Sequence, residues 1–392
     1  MAIFNSVYPH ALARNGLAPA SCYVSPSLAP STGKKPTVFK TIEAGRGIAA
    51  MFVLLYHASC SFSAAEYWHI QIFDGVFDIG YIGVEFFFVL SGFIIVQVHA
   101  LDIGQPHKIG RYVEKRFIRI YPVYWIVLAM MIAASGVAGL GQPLTGSIVW
   151  QSIVLVGPNE DQVPLTAAWT LFHEIAFYVV FGLCIVNARI GGVVVAAWLS
   201  LVAMTIFGVP VGWLPAYLGA PVNLLFAFGA IACWVSSRAL IPAPGAVAGA
   251  AALAFIGCAL EIEYVRQFSE TTNTLLLGSS AAVGLAAIVT LERRRPIAVH
   301  RLLLSAGAAS YSIYLVHAPI IAALSKLAVR SGASTAWPPA LSFIALITVP
   351  AALGYAFHRI IERPVLRWAS VGVPSLKLGR ELINRIHKPV LF

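Results

Sequence analysis

Residues 42–61 read IEAGRGIAAMFVLLYHASCS, and this stretch decides what kind of protein the chain is. A run of about 20 mostly apolar residues, rising 1.5 Å each, is the length of one bilayer crossing. Yet it contains Glu43, Arg46 and His57. A charge at the bilayer centre costs about 2.5–3.5 kcal/mol on insertion scales, so ionisable residues held there point to function. Arg46 and His57 are eleven residues apart. That is about three turns of helix, so the two share a face and are separated by roughly 16 Å along the axis. Glu43 lies one turn before Arg46 on the same side. Gly45 and Gly47 flank the arginine and admit a neighbouring helix or a ligand at close range.

The same apolar pattern recurs outward from this helix. Further stretches of spanning length run roughly over 77–98, 117–136, 165–186, 190–208, 218–236, 245–262, 274–291, 303–325 and 339–360. The expected fold is all-α, an integral membrane bundle of about ten transmembrane helices. The stretch 147–157 is too short to cross and either lies at the interface or re-enters. Composition agrees. Of 392 residues, 59% are hydrophobic and 11% charged, against roughly 25% charged in a soluble domain.

The net charge of +10 would raise the question of nucleic acid in a soluble chain. Here the basic residues follow the membrane. With the N-terminus inside, 22 of the 26 Lys and Arg residues fall in cytoplasmic segments or at their membrane boundaries, as the positive-inside rule requires. Both ends are then cytoplasmic and the partner of the charge is the lipid surface. Residues 1–40, rich in Pro, Ser and Ala, read as a disordered cytoplasmic tail. Residues 41–365 form the membrane domain and 366–392 a basic cytoplasmic tail. The five cysteines show no C-x-x-C spacing, and no pair of histidines stands three or four residues apart, so no metal is expected.

Polar side chains recur within the other spans. The second contains GVEFFFVLSGF, with Glu85 before three phenylalanines and Ser91 beside Gly92. The fourth reads AWTLFHEIAFY, in which Glu174 and Tyr178 share a face below Trp169, while His173 points elsewhere and reads as structural. The ninth reads ASYSIYLVHAP, placing Ser310, Tyr311, Tyr314 and His317 in the membrane. At the cytoplasmic boundary KRFIRIYPVYW carries Arg116 and Arg119, either ordinary membrane anchors or a planar, bidentate clamp for a phosphate.

These elements in order, with Glu362-Arg363-Pro364 near the end, resemble acyltransferase family 3, the multi-pass membrane O-acyltransferases of bacterial surface carbohydrates. The resemblance covers roughly residues 41–365, and the GRGIAA wording is most similar to the subgroup that decorates exopolysaccharide. Gly45 stands where many members have Leu, and Glu43 where Asp is common. The resemblance implies transfer of an acyl group, usually acetyl, from cytoplasmic acyl-CoA to a sugar hydroxyl at the bacterial cytoplasmic membrane. It implies a polysaccharide or lipid-linked oligosaccharide acceptor, with polysaccharide-assembly proteins as candidate partners. Arg46 and His57 match the family's essential pair.

On that reading His57, Arg46 and Glu174 are the catalytic candidates. Arg46, Arg116, Arg119 and Ser91 are candidates for holding the acyl donor. Glu85, Trp169, Tyr178, Ser310, Tyr311 and His317 are candidates for the acceptor. His57 either takes the proton of the attacking hydroxyl or carries the acyl group covalently. The alternative is a secondary transporter with an intramembrane proton or substrate site. It calls for repeat symmetry and Gly/Pro-broken spans in matching halves, and neither is visible in the chain.

Overall fold

In hydrocarbon every backbone amide and carbonyl must find its partner within the protein, so apolar runs of this length fold as helices. The computed structural model describes residues 39–138, 145–157, 163–212, 214–238 and 240–371, and among them there is no strand. The helices are α1 (Lys40–Ser63), α2 (Ile82–His99), α3 (Ile109–Ala138), α4 (Gly146–Val154), α5 (Trp169–Val186) and α6 (Ala188–Ile206). They continue as α7 (Leu224–Ser237), α8 (Pro244–Leu260), α9 (Glu270–Arg294), α10 (Arg301–Arg330), α11 (Pro339–Phe357) and α12 (Arg363–Val371), with short helical turns between. Most of both expected tails lies outside the described residues. The expected domain end at 365 falls within α12.

Eight of the helical stretches are long and apolar enough to cross a membrane. The other two expected spans are helices of a different kind. The stretch Pro221–Ser237, which contains α7, is apolar but short. α1 has 24 residues, and Glu43, Arg46 and His57 make it less apolar than its neighbours. Its surroundings explain how it tolerates them, because α1 packs against α2, α9, α10 and α11 at once. α6 and α8 are the opposite case. Only 11% of the apolar window of each is buried in the protein, so they form the outer rim. α4, with nine residues, is too short to span, as expected.

Two close crossings set the bundle. A side chain on Gly47 of α1 would meet the backbone nitrogen of Gly307 on α10 at 2.7 Å, and one on Gly307 would meet the Glu43 carbonyl oxygen at 1.9 Å. Gly92 of α2 and Gly229 of α7 relate in the same way. There the clashes would be with the carbonyl oxygens of Phe226 at 2.0 Å and Val89 at 1.9 Å. Small residues at both crossings let the backbones approach and gain dispersion contact where no hydrophobic force separates protein from lipid. The start of α1 is held differently. No side chain of its own caps it. Instead Glu292 at the end of α9 accepts hydrogen bonds from the backbone amides of Lys40 at 2.9 Å and Thr41 at 3.1 Å. A carboxylate thus meets the positive end of the helix dipole, and α1 is pinned at the end that carries Arg46.

Candidate active site

A cavity of about 660 Å³ opens beside the C-terminal half of α1. Its wall includes Val53, Tyr56 and His57 from α1, Val84 and Glu85 from α2, Trp169, and Asn273, Thr274 and Leu277 from α9. Tyr314 of α10 closes one side, Arg266 and Phe268 lie in the segment joining α8 to α9, and Glu270 opens α9. Two acceptor atoms on this wall are buried without a partner among the described residues, Glu85 Oε2 and Asn273 Oδ1. A buried acceptor left unpaired costs about 1–3 kcal/mol, which a ligand bearing hydroxyls would relieve. The Trp169 indole supplies an apolar face beside them.

His57 does not stand alone. His317 of α10 packs against it edge to face, ring centroids 4.8 Å apart. Its Nε2 lies 3.2 Å from His57 Nδ1. His317 is fully inside the protein and is not on the cavity wall. Tyr314, one turn before it, shares a hydrogen bond of 3.1 Å with Thr170.

A second cluster gathers the other polar residues near the N-terminal half of α1. Glu174 Oε1 accepts from the Tyr178 hydroxyl and, at 3.3 Å, from Ser91 Oγ. Arg116 lies over the Tyr178 ring, 5.5 Å from its centroid, and Arg119 over the Tyr311 ring at 5.2 Å. Such stacking holds a guanidinium in place without neutralising it. Arg119 also pairs with Glu362, and the Tyr311 hydroxyl donates to the Ile120 carbonyl oxygen at 2.9 Å. The charged neighbours of Arg46 are Arg119, Glu43, Glu362 and Glu174. Among the described residues no hydrogen bond or ion pair engages the Arg46 guanidinium.

The expected site residues therefore divide into two groups. His57, Glu85 and Trp169 line the cavity, with His317 behind His57. Arg46, Ser91, Arg116, Arg119, Glu174, Tyr178 and Tyr311 gather in the second cluster. Ser310 is 1% exposed, and its hydroxyl is buried without a partner among the described residues. Between the groups, the face of α1 joining Arg46 to His57 passes through Ala50, Val53 and Leu54, at most 1% exposed. Of these only Val53 reaches the cavity wall. His173 hydrogen-bonds Asn223 Oδ1 at 2.9 Å, in keeping with its structural reading. Asn273 was not singled out in the sequence, since a lone amide in the first turn of a span reads as a polar flank. Glu362 stood in a recognisable motif, but two of its partners, Ser312 and Arg119, are 50 and 243 residues away.

A family model described as "Acyltransferase domain", that of acyltransferase family 3, matches residues 39–359. The chain belongs to this family. It is an O-acyltransferase embedded in a membrane. Among curated proteins, the acyltransferase is 31% identical over 303 residues to "Exopolysaccharide production protein ExoZ" of Rhizobium meliloti (strain 1021), covering 74% of this chain and 91% of that protein. It is 24% identical over 324 residues to "Acyltransferase MdmB" of Streptomyces mycarofaciens, covering 74% of this chain and 81% of that protein. No solved structure gives a significant match. The matched region of the acyltransferase contains both polar groups.

Proposed function

We propose that the enzyme transfers an acyl group, acetyl in the simplest case, from cytoplasmic acyl-CoA to a hydroxyl of an exopolysaccharide or other surface sugar. It works in the bacterial cytoplasmic membrane with about ten crossings and both ends inside. The observation that carries the reading is the His57 imidazole on the wall of a cavity that also presents Glu85, Asn273 and Trp169. Unpaired acceptors beside an indole suit a hydroxyl-rich ring, and the name of the Rhizobium relative points to exopolysaccharide.

The other polar group suits an anionic donor. Arg46 has no partner among the described residues, and Arg116 Nε is buried without one, so both guanidinium groups have donors to give to phosphate oxygens. Acyl-CoA bound there supplies the thioester. Ser91 and Tyr178 fix Glu174, which offsets part of the positive charge around Arg46 and keeps the site from repelling its own arginines. To bring the thioester to His57, the α1 face at Ala50 and Leu54 must open, since the packed structure closes it.

His57 then acts as the base. As the sugar oxygen bonds to the acyl carbon, its proton passes to the imidazole. The carbon–sulfur bond breaks and the thiolate takes that proton as it leaves. The test uses the full chain in lipid nanodiscs with radiolabelled acetyl-CoA and the alkali-deacetylated surface polysaccharide of the host. Ester-bound label should be lost in His57→Ala, while the variant still inserts and elutes as the wild type does. Full activity in that variant would end the base assignment. Mass analysis of polysaccharide from a deletion strain, before and after alkali, tests the acceptor class independently.

A further inference from the structure

Backbone carbonyls set the protons of both histidines, and the pair then meets donor to acceptor. His317 Nδ1 lies 2.6 Å from the Tyr314 carbonyl oxygen and 3.2 Å from that of Ile313. His57 Nδ1 lies 2.9 Å from the Val53 carbonyl oxygen. A carbonyl oxygen only accepts, so in each ring Nδ1 carries the hydrogen and, in the neutral imidazole, Nε2 keeps the lone pair. The lone pair of His317 Nε2 then faces His57 Nδ1 at 3.2 Å, and the His57 N–H is shared between it and Val53. One nitrogen of the pair is left proton-free and unengaged among the described residues. It is His57 Nε2, on the ring that lines the cavity.

We infer that His317 is a positioning residue. It holds His57 in the Nδ1–H tautomer, keeps Nε2 basic toward the acceptor hydroxyl, and accepts from the imidazolium once His57 is protonated. The inference rests on His57 being the base. In the opposite tautomer His57 would present an N–H to the hydroxyl and could not take its proton. The role is that of the orienting carboxylate in a serine-hydrolase triad, filled here by a neutral ring. A neutral partner adds no charge to the bilayer, where a further carboxylate would be costly. Proton flow is balanced. The hydroxyl proton reaches His57 Nε2 and leaves on the thiol, while His317 keeps its own.

The test combines turnover with a readout that needs none. Histidine labelled with nitrogen-15 in the full chain, with His57→Gln identifying the signal among ten histidines, should show His57 protonated at Nδ1 and bare at Nε2. In His317→Phe, where the Val53 carbonyl is left as the one acceptor for His57 Nδ1 among the described residues, that signal should shift toward a tautomer mixture. Turnover with acetyl-CoA and the deacetylated polysaccharide should fall about 10–100-fold in kcat, a part of the general-base effect, with KM for both substrates unchanged. His317→Gln, which returns an acceptor oxygen toward His57, should recover much of the loss. A wild-type spectrum with His57 protonated at Nε2 would overturn the inference, as would wild-type kcat in His317→Phe. If His57→Ala is inactive in the same assay, the base assignment survives either result.

Discussion

Arg119 and Glu362 form an ion pair that ties α3 to the turn between α11 and α12, with Arg119 Nη1 3.2 Å from Glu362 Oε1. The carboxylate is 1% exposed and the arginine side chain 32%. The other oxygen of Glu362 accepts from Ser312 Oγ at 2.6 Å and lies 2.7 Å from His358 Nδ1. A carboxylate so placed has partners on both oxygens, and three helical elements meet on it. One of the three arginines considered for the donor thus has a standing structural duty, whereas Arg46 has none.

Removing Glu362 should therefore unfasten the bundle. Breaking a fully buried pair costs about 3–5 kcal/mol, and the partial exposure of Arg119 brings this to about 2–3 kcal/mol. Glu362→Leu should lower the melting temperature of the detergent-solubilised protein by several degrees. Glu362→Gln, which keeps an acceptor for Ser312, should lose less. Equal melting temperatures for wild type and Glu362→Leu would show that the pair adds no stability.

The crossing of α2 and α7 gives a steric prediction. A Cβ on Gly229 would sit 1.9 Å from the Val89 carbonyl oxygen, and backbone cannot yield as a flexible side chain does. Overpacking of a tight contact costs about 1–3 kcal/mol. Gly229→Ala should fall in that range by thermal unfolding, and Gly229→Val should sharply lower the folded yield. Gly257, with nothing near its Cβ position, is the control, and Gly257→Ala should leave both quantities unchanged. A Gly229→Ala protein as stable as the control would mean that the helices are not packed as closely as described.

Much of this architecture was legible because the bilayer allows few solutions. An apolar run of spanning length has to be a helix, and a charge within one has to face protein. That logic carried α1, Glu85, Glu174 and His317 from sequence alone. Spacing along one helix also foretold the Glu174–Tyr178 contact, since residues four apart share a face. Contacts between helices were not legible. Nothing in a single sequence says that His317 will meet His57 across 260 residues, or that Arg119 will choose Glu362. The same limit explains why the candidate residues fall into two groups. Depth in the membrane can be read from position along a span, but which way each helix turns depends on crossings such as Gly47 with Gly307.

Glu85 tests the acceptor cavity. Its Oε2 is buried and unpaired among the described residues, so an acceptor hydroxyl has a carboxyl oxygen to donate to. A buried acceptor left without a partner costs about 1–3 kcal/mol, so satisfying it is worth about 5–100-fold in binding. Glu85→Leu should raise the KM for polysaccharide by that factor and leave the KM for acetyl-CoA unchanged. Glu85→Gln should lie between the two. A change confined to acetyl-CoA would move Glu85 to the donor side.

Arg46 tests the donor side, and the contrast between two replacements carries the argument. Arg46 lies near the start of α1, which Glu292 pins through the amides of Lys40 and Thr41, and its guanidinium has no partner of its own among the described residues. A planar fork can bind two oxygens of one phosphate, while an ammonium offers a point charge. Arg46→Ala loses both charge and fork and should raise the KM for acetyl-CoA about 10–100-fold, the value of a charged hydrogen bond. Arg46→Lys keeps the charge and should recover only part of that loss. Neither variant should alter the KM for polysaccharide, because Arg46 is not on the wall of the cavity that holds His57. Binding of acetyl-CoA to the protein in nanodiscs, measured calorimetrically without any acceptor, separates affinity from turnover. Wild-type affinity in Arg46→Ala would remove the donor role and leave the arginine without a proposed ligand.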